Sequence, residues 1–252
     1  MGEPTGFAYV TGGGSGIGRA SALALARQGL AVVVADRAED DASTTVELIQ
    51  RDGGQASHAV VDVTSTADLQ RSISRGIELY GPLTAAVNSA GIQGDLAPVA
   101  ECRESNWDAI IGVNLTGTFL SMQAELDAML RHRAGSIVNV ASNFGLVGQR
   151  GMPAYCASKH GVIGLSKSAS LDYAVSNVRV NVVCPGPIGT PLLDSFVGAD
   201  GAHLLDAIKQ SVPMGRVGTA DEVGNAIAWL ASPAASYVTG AVLTVDGGYV
   251  VP

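Results

Sequence analysis

Charge is scarce in this chain. Only 15% of the 252 residues are charged, and acids outnumber bases to leave a formal net charge of -8. So little charge beside so much apolar residue is not the composition of an intrinsically disordered chain. The negative balance, with no basic tract and no basic stripe studded with aromatics, speaks against nucleic acid or an anionic membrane as partner. Cysteine is also sparse. Cys102, Cys156 and Cys184 are odd in number, widely spaced and without a Cys-x-x-Cys pair, so they read as free thiols in a reducing compartment. His58, His132, His160 and His203 show no ligand spacing with cysteines or acids, which leaves no expected metal site. No uncharged apolar run is long enough to span a bilayer. The opening Met-Gly-Glu-Pro-Thr-Gly does not look like a signal peptide. There is no Pro/Ser-rich linker, repeat or low-complexity stretch. A cytoplasmic protein is expected, with residues 1–252 forming one domain, the usual arrangement for an open α/β sheet of this length.

What the chain does have is apolar residue and glycine. Hydrophobic residues make up 47% of it, and there are 32 glycines. Apolar runs at 7–10, 31–35, 55–61, 84–87, 136–140, 178–183 and 241–245 predict seven strands. Helical patterns lie between them at 21–28, 38–51, 66–80, 105–131, 153–174 and 219–231. Ser105 is a candidate cap for the fourth helix, Pro153 a candidate opener for the fifth, and Thr219 with Glu222 a capping box for the sixth. Asn177, between helix and strand, suits a left-handed cap. The strands lack polar alternation, so both sheet faces should be covered. The fold class predicted is α/β: a doubly wound, Rossmann-like parallel seven-stranded sheet with helices on both faces. Residues 187–218 break the rhythm with Pro187, Pro191, Gly198, Gly201 and Pro213 and form a candidate substrate-loop insertion or lid. Trp107 and Trp229 are expected to be packing anchors, and Cys156 a small core filler.

The first strand runs into Thr11-Gly12-Gly13-Gly14-Ser15-Gly16-Ile17-Gly18, which then opens a helix. Glycines let a backbone approach a pyrophosphate, and a helix N-terminus attracts the anion. No Lys-Ser/Thr follows, so this is not an NTPase phosphate loop. A glycine-rich turn without a ligand stays possible on this motif alone. Asp36, at the tip of the second strand, can bond both hydroxyls of an adenosine ribose and repel a 2′-phosphate. Arg37, next in line, could favour that phosphate, but the strand-tip carboxylate carries more weight. Asp62 and Val63 end the third strand, where they can border an adenine; Asp62 also has the character of a cap or turn residue.

Tyr155 and Lys159 are four residues apart, on one helix face. An ammonium beside a phenol favours the phenolate. Free tyrosine titrates near pH ~10, so about 4 kcal/mol of differential stabilisation would make it a base at neutral pH. Ser142 ends a strand shortly before that helix, so all three can point into the crevice at the carboxyl edge of the sheet.

Taken in order, Thr11 to Gly18, Asp62, Asn88-Ser89-Ala90-Gly91, Asn114, Ser142, Tyr155-x-x-x-Lys159, Pro185-Gly186 with Thr190, and Asp246-Gly247-Gly248 resemble the short-chain dehydrogenase/reductase family along nearly the whole chain. Ser89 departs slightly from the family pattern but is a compatible turn residue. The resemblance implies that Tyr155 is the acid/base. It implies that Lys159 lowers the tyrosine's pKa and bonds the nicotinamide ribose, and that Ser142 holds the substrate oxygen. Asn114 would place a water in a proton relay. Gly12, Ser15, Gly16, Ile17 and Gly18 would hold the pyrophosphate side of the dinucleotide. Asn88, Ala90 and Gly91 would line its cleft, and Pro185, Gly186, Ile188 and Thr190 would lie beside the nicotinamide. NAD is the cofactor expected, with NADP disfavoured by Asp36, and a homotetramer is the assembly the family implies. The apolar end Tyr249-Val250-Val251-Pro252 suits burial at such an interface.

The walls of the substrate pocket should come from Gln93 and Gly94, from Asn143 to Met152 including Gln149, from Pro185 to Pro187, and from Leu192 and Phe196. Arg150 is the one cation in that lining and can face solvent. A small, uncharged secondary alcohol or ketone, alicyclic in shape, suits this composition. One alternative is a 3-oxoacyl-[acyl-carrier-protein] reductase, for which Arg133 matches one member of an expected basic pair and Ser176 stands in the place of the other. A second, of a different class, is a non-catalytic NAD-binding sensor or scaffold.

Overall fold

The computed structural model describes residues 6–198 and 201–251. From the N-terminus run β1 (Phe7–Thr11), α1 (Gly16–Arg27), β2 (Ala31–Asp36), α2 (Glu39–Arg51), β3 (Ala56–Val60) and α3 (Thr66–Tyr80). Then come β4 (Leu83–Asn88), α4 (Glu104–Ile111), α5 (Gly117–Leu130), β5 (Gly135–Val140), α6 (Pro153–Tyr173) and β6 (Val178–Pro185). The remainder is β7 (Ile188–Gly189), α7 (Pro191–Val197), α8 (Gly201–Ser211), β8 (Gly218–Thr219), α9 (Ala220–Ala231) and β9 (Val242–Val245). Seven strands form one sheet in the order β3-β2-β1-β4-β5-β6-β9, and all its pairings are parallel. β7 and β8 pair separately, inside and at the end of the 187–218 insertion.

Period-two alternation sends the side chains of β1 to opposite layers. Ala8 and Val10 pack with Leu25 of α1, Ile49 of α2 and Ile227 of α9, while Phe7 and Tyr9 pack with Leu69 of α3 and Met129 of α5. Helices therefore cover both faces of the sheet centre. The two edges differ from the expectation of full coverage. After the buried Ala56, β3 alternates between half-buried and exposed residues, and most of β9 is half-buried, because each has a strand on one side only. Trp107 and Trp229 are 41% and 43% exposed, so neither is the internal packing anchor expected.

The capping box at Thr219 and Glu222 forms as expected. Asn177 adopts the left-handed conformation, with φ 58°. The helix expected over 105–131 does not run unbroken from Ser105. It starts at Glu104 after Arg103, which has extended backbone, and a wide π turn at Gly112–Thr116 separates α4 from α5. Thr118 Oγ1 donates to the Asn114 carbonyl at 2.8 Å, and π turns of this kind are often found at functional sites.

The strand order reverses between β1 and β4. Register brings Thr11 level with Ala35 and Asn88, and Asn88 level with Asn139. The carboxyl ends of the central strands thus open along one edge, where a crevice forms in sheets of this topology.

Candidate active site

A cleft of about 470 Å³ runs along that edge. At one end lies the glycine turn. Gly12 has φ 63°, and a Cβ there would come within 2.7 Å of the Ala90 backbone, so the turns after β1 and β4 can touch only because this residue is glycine. Gly12, Ser15, Gly16 and Ile17 line the cleft. Gly18 does not. A Cβ on it would lie 2.0 Å from the Gly12 carbonyl oxygen, so it seats α1 against the turn.

Asp36 and Arg37 line the cleft beyond the turn. Asp36 Oδ2 accepts from the Gly14 N–H at 2.9 Å and its Oδ1 from the Ala38 N–H at 3.0 Å. The carboxylate thereby ties β2 to the glycine turn and keeps lone pairs for a further donor. Asp62 and Val63 form the neighbouring wall. The Thr64 hydroxyl and N–H both donate to Asp62 Oδ1 and hold its carboxyl below the usual range. Asp62 is therefore a turn residue and a wall residue at once.

Ser142, Asn143, Gln149, Tyr155 and Lys159 meet at the other end, opposite Pro185, Gly186, Ile188 and Thr190. A Cβ at Gly145 would stand 2.8 Å from the Lys159 carbonyl oxygen, so the loop after Ser142 can lie directly on α6. Lys159 Nζ donates to the Val140 carbonyl at 2.9 Å and lies 5.7 Å from the centre of the Tyr155 ring. Burial pushes the Lys159 ammonium down to about 8. It pushes the Tyr155 phenol up to about 12, against a smaller pull downward from the nearby Ser142 hydroxyl. The sequence suggested a phenol acidified by the adjacent ammonium. In the chain by itself desolvation wins, because both groups are enclosed and the lysine is directed at a carbonyl rather than at the phenol oxygen.

Asn88 and Asn114 stand behind the cleft wall. Asn114 Oδ1 accepts from the Ile92 N–H at 2.8 Å, and its Nδ2 donates to the Ile92 carbonyl at 2.9 Å and to Ser158 Oγ at 3.2 Å. A Cβ on Gly91 would lie 3.3 Å from Asn114 Oδ1 and 3.6 Å from Lys159 Nζ, so both side chains converge on that glycine. Asn88 is turned into the core. Its Nδ2 is shared between Glu125 Oε2 at 3.0 Å and Asn139 Oδ1 at 2.9 Å. Glu125 is wholly enclosed, and burial pushes its carboxyl up to about 8. Met122 and Met129, three residues before it and four after, are buried on the same helix face, so its spacing, though not its charge, marks it as internal.

Several walls were missed or misplaced by sequence reasoning. Gly94 packs on Ile110 instead of lining the cleft. Leu204 and Ile208 of α8 join Leu192 and Phe196 of α7 over the substrate end. Tyr249, expected at a subunit interface, also lines the cleft and meets Phe144 edge to face, with ring centres 6.2 Å apart. Its turn is folded around Asp246, which accepts from the N–H groups of Gly248 and Val250 at 3.0 Å each. Pro252 lies outside the described residues. Arg150 is exposed, as the sequence allowed. Cys156 is half-buried beside Tyr155, and no group of acids, histidines and cysteines among the described residues could hold a metal ion.

Comparison with known proteins identifies the family. The family model described as enoyl-(acyl carrier protein) reductase matches residues 12–250. Cyclohexanol dehydrogenase of Acinetobacter sp. (strain SE19) is 40% identical over 242 residues, covering 96% of this chain and 94% of that protein. The 3-oxoacyl-[acyl-carrier-protein] reductase FabG of Thermotoga maritima is 38% identical, covering 96% of each. A variant actinorhodin polyketide ketoreductase solved with NADPH superposes with a TM-score of 0.94 at 36% identity, covering 98% of both chains. A family model and relatives that span almost the entire length, on a sheet with a serine, tyrosine and lysine gathered at its switch-point cleft, show that the chain belongs to the short-chain dehydrogenase/reductase family and is an oxidoreductase.

Proposed function

We propose that this enzyme interconverts a small, uncharged secondary alcohol and its ketone with NAD. The observation that carries the reading is the layout of one cleft, with a glycine turn and a strand-tip carboxylate at one end and Ser142, Tyr155 and Lys159 at the other. A dinucleotide fits that layout, because a Cβ at Gly12 would fill the contact between the turns that cradle it. Bound there, the nicotinamide supplies the site from which a hydride leaves or to which it is delivered.

The chain's residues handle the proton and the geometry. Tyr155 takes the hydroxyl proton during oxidation and returns it during reduction. Ser142 holds the substrate oxygen beside the phenol. Lys159 holds the nicotinamide ribose and adds positive charge next to Tyr155, and Asn114 supports Lys159 through the turn at Gly91. Gly12, Ser15, Gly16 and Ile17 take the pyrophosphate, Asp36 the adenosine ribose, Asp62 and Val63 the adenine. Ala90, Gly91, Pro185, Gly186, Ile188 and Thr190 enclose the nicotinamide half, while Gly18 and Asn88 shape the wall from behind. Leu192, Phe196, Phe144 and Tyr249 supply an apolar enclosure with Asn143 and Gln149 as its polar members, which suits a compact neutral ring better than a charged chain. A panel of secondary alcohols and ketones, each assayed with both nicotinamide cofactors, tests the reading. Preference for a phosphorylated or carboxylate substrate would refute it. Activity confined to acyl-carrier-protein thioesters would favour the 3-oxoacyl reductase alternative, although Arg133 already donates to the Val175 carbonyl at 3.2 Å. Cofactor binding without turnover of any substrate would favour a sensor or scaffold.

Cofactor choice has its own test. Asp36→Ala is expected to shift the NAD/NADP ratio of kcat/KM by about 100-fold toward NADP, as relief of a like-charge juxtaposition with a 2′-phosphate requires. It should also weaken NAD itself, since Gly14 loses its acceptor. An unchanged ratio would show that Asp36 does not meet the ribose.

A homotetramer in the cytoplasm completes the proposal. Large apolar side chains stand exposed on α5 and α6 and around α9, among them Leu171 at 80% and Tyr237 at 102%, a distribution suited to covered faces. Sedimentation at micromolar concentration should give four times the 25.5 kDa chain mass; a monomer would contradict the assembly. Free thiols among the described residues accord with a reducing compartment, and no helix there is long and apolar enough to cross a membrane.

A further inference from the structure

The Ser142 hydroxyl has one proton to give and two lone pairs with which to accept. In this structure the proton goes to Asn143 Oδ1, at 3.0 Å. One lone pair takes the Phe144 N–H at 3.1 Å; the other takes no hydrogen bond from the described residues, although the Tyr155 phenol is near. Ser142 in this state has no proton left for a substrate oxygen. The Asn143 side chain is buried, with 2% of its surface exposed, and its Nδ2 has no hydrogen-bond partner.

We propose that Asn143 is the positioning residue of Ser142: its amide holds the serine proton in the free enzyme and turns over to donate to Ser142 Oγ when the substrate oxygen takes that proton. The inference rests on the alcohol–ketone reading above. The hydrogen bonds balance in both states. With substrate bound, the second lone pair of Ser142 Oγ, which takes no hydrogen bond in the free enzyme, is open to a donor. Asn143 Nδ2 fills that lone pair. Ser142 keeps the Phe144 N–H and gives its proton to the substrate. One amide atom of Asn143 lacks a partner before the turn and one lacks a partner after it, so the two states are close in energy. Amide oxygen and NH2 are near equal in size, so the turn needs no repacking. A donor behind Ser142 also strengthens the bond that Ser142 makes forward, as in any hydrogen-bonded chain.

Asn143→Asp and Asn143→Ala separate this role from packing. Aspartate has the shape of asparagine but can only accept, so it keeps the serine proton and cannot donate in return. Alanine leaves the proton free. The probe is oxidation of cyclohexanol by NAD and reduction of cyclohexanone by NADH, with kcat read on the plateau of its pH profile so that the new charge acting on Tyr155 does not enter. The expected order is wild type, then alanine at about tenfold lower, then aspartate at about 100-fold lower. The kinetic pKa should rise by about one unit in the aspartate variant alone, while NADH binding by fluorescence stays within about twofold of wild type in both. A purely structural role predicts the reverse order, with isosteric aspartate nearer wild type, and that result overturns the proposal. So does plateau kcat within about twofold of wild type in both variants, which would leave the alcohol–ketone reading standing. Loss of NADH binding in both variants also overturns it, by showing that Asn143 supports the fold of the site. Failure of the wild-type enzyme to turn over any alcohol or ketone defeats both readings together.

Discussion

Tyr155→Phe is expected to lower kcat/KM by about 10³-fold, in the middle of the range for loss of a positioned acid/base, while NAD affinity changes by less than about twofold. The substitution removes one oxygen and keeps the ring that packs with Ile110, Met152 and Ala154. Burial pushes the Tyr155 phenol up to about 12 and the Lys159 ammonium down to about 8, both because an enclosed crevice disfavours charge. An oxidised nicotinamide brings positive charge to the same crevice. The phenol should therefore titrate lower in the NAD complex than in the free enzyme, and alcohol oxidation should rise with pH through that lower value. Spectroscopic titration of the enzyme with and without NAD, using Tyr155→Phe as the blank, reads this directly. Equal titration in the two states, or turnover by the phenylalanine variant near the wild-type rate, would mean that another group moves the proton.

Glu125→Gln is expected to reverse the stability ranking between acid and alkaline solution. Burial raises the Glu125 carboxyl from the ordinary 4.5 to about 8, so the folded chain keeps a proton that the unfolded chain releases. The group's contribution is fully present below pH 4.5 and is lost as pH rises through about 8. Linkage sets the loss at about 1.4 kcal/mol per pH unit, on the order of 5 kcal/mol over the window. Glutamine can accept from Asn88 as Glu125 Oε2 does now. Its NH2 replaces Oε1, which has no partner, at a cost of about 1–3 kcal/mol. Urea unfolding should find the variant less stable near about pH 5 and more stable by about 2 kcal/mol or more near about pH 8.5. Parallel stability–pH curves for variant and wild type would show that Glu125 is not a protonated internal acid.

The distance between partners along the chain separates what was readable from what was not. Short apolar runs marked the strands, because a strand buried in a parallel sheet must be apolar on both sides. Gly12, Asp36, Ser142, Tyr155 and Lys159 were readable for a related reason. Each sits at a strand tip or on the first turns of a helix, where local pattern already determines direction. Asn88 illustrates the limit. Its position at the end of β4 was clear, but the direction of its amide depends on Glu125, 37 residues away. Tyr249 illustrates it further. Its place against Phe144 depends on the last turn folding back around Asp246, and no periodicity records that.

The order of apolar runs and turns determined the parallel sheet, the edge at which its cleft opens and the family to which the chain belongs, because these follow from backbone geometry and from residues close in sequence. Tertiary structure alone decided which way the phenol titrates, which acid is held inside, where the tryptophans lie and which residue takes the serine proton. Those outcomes depend on desolvation and on hydrogen-bond partners that meet only when distant segments are packed together.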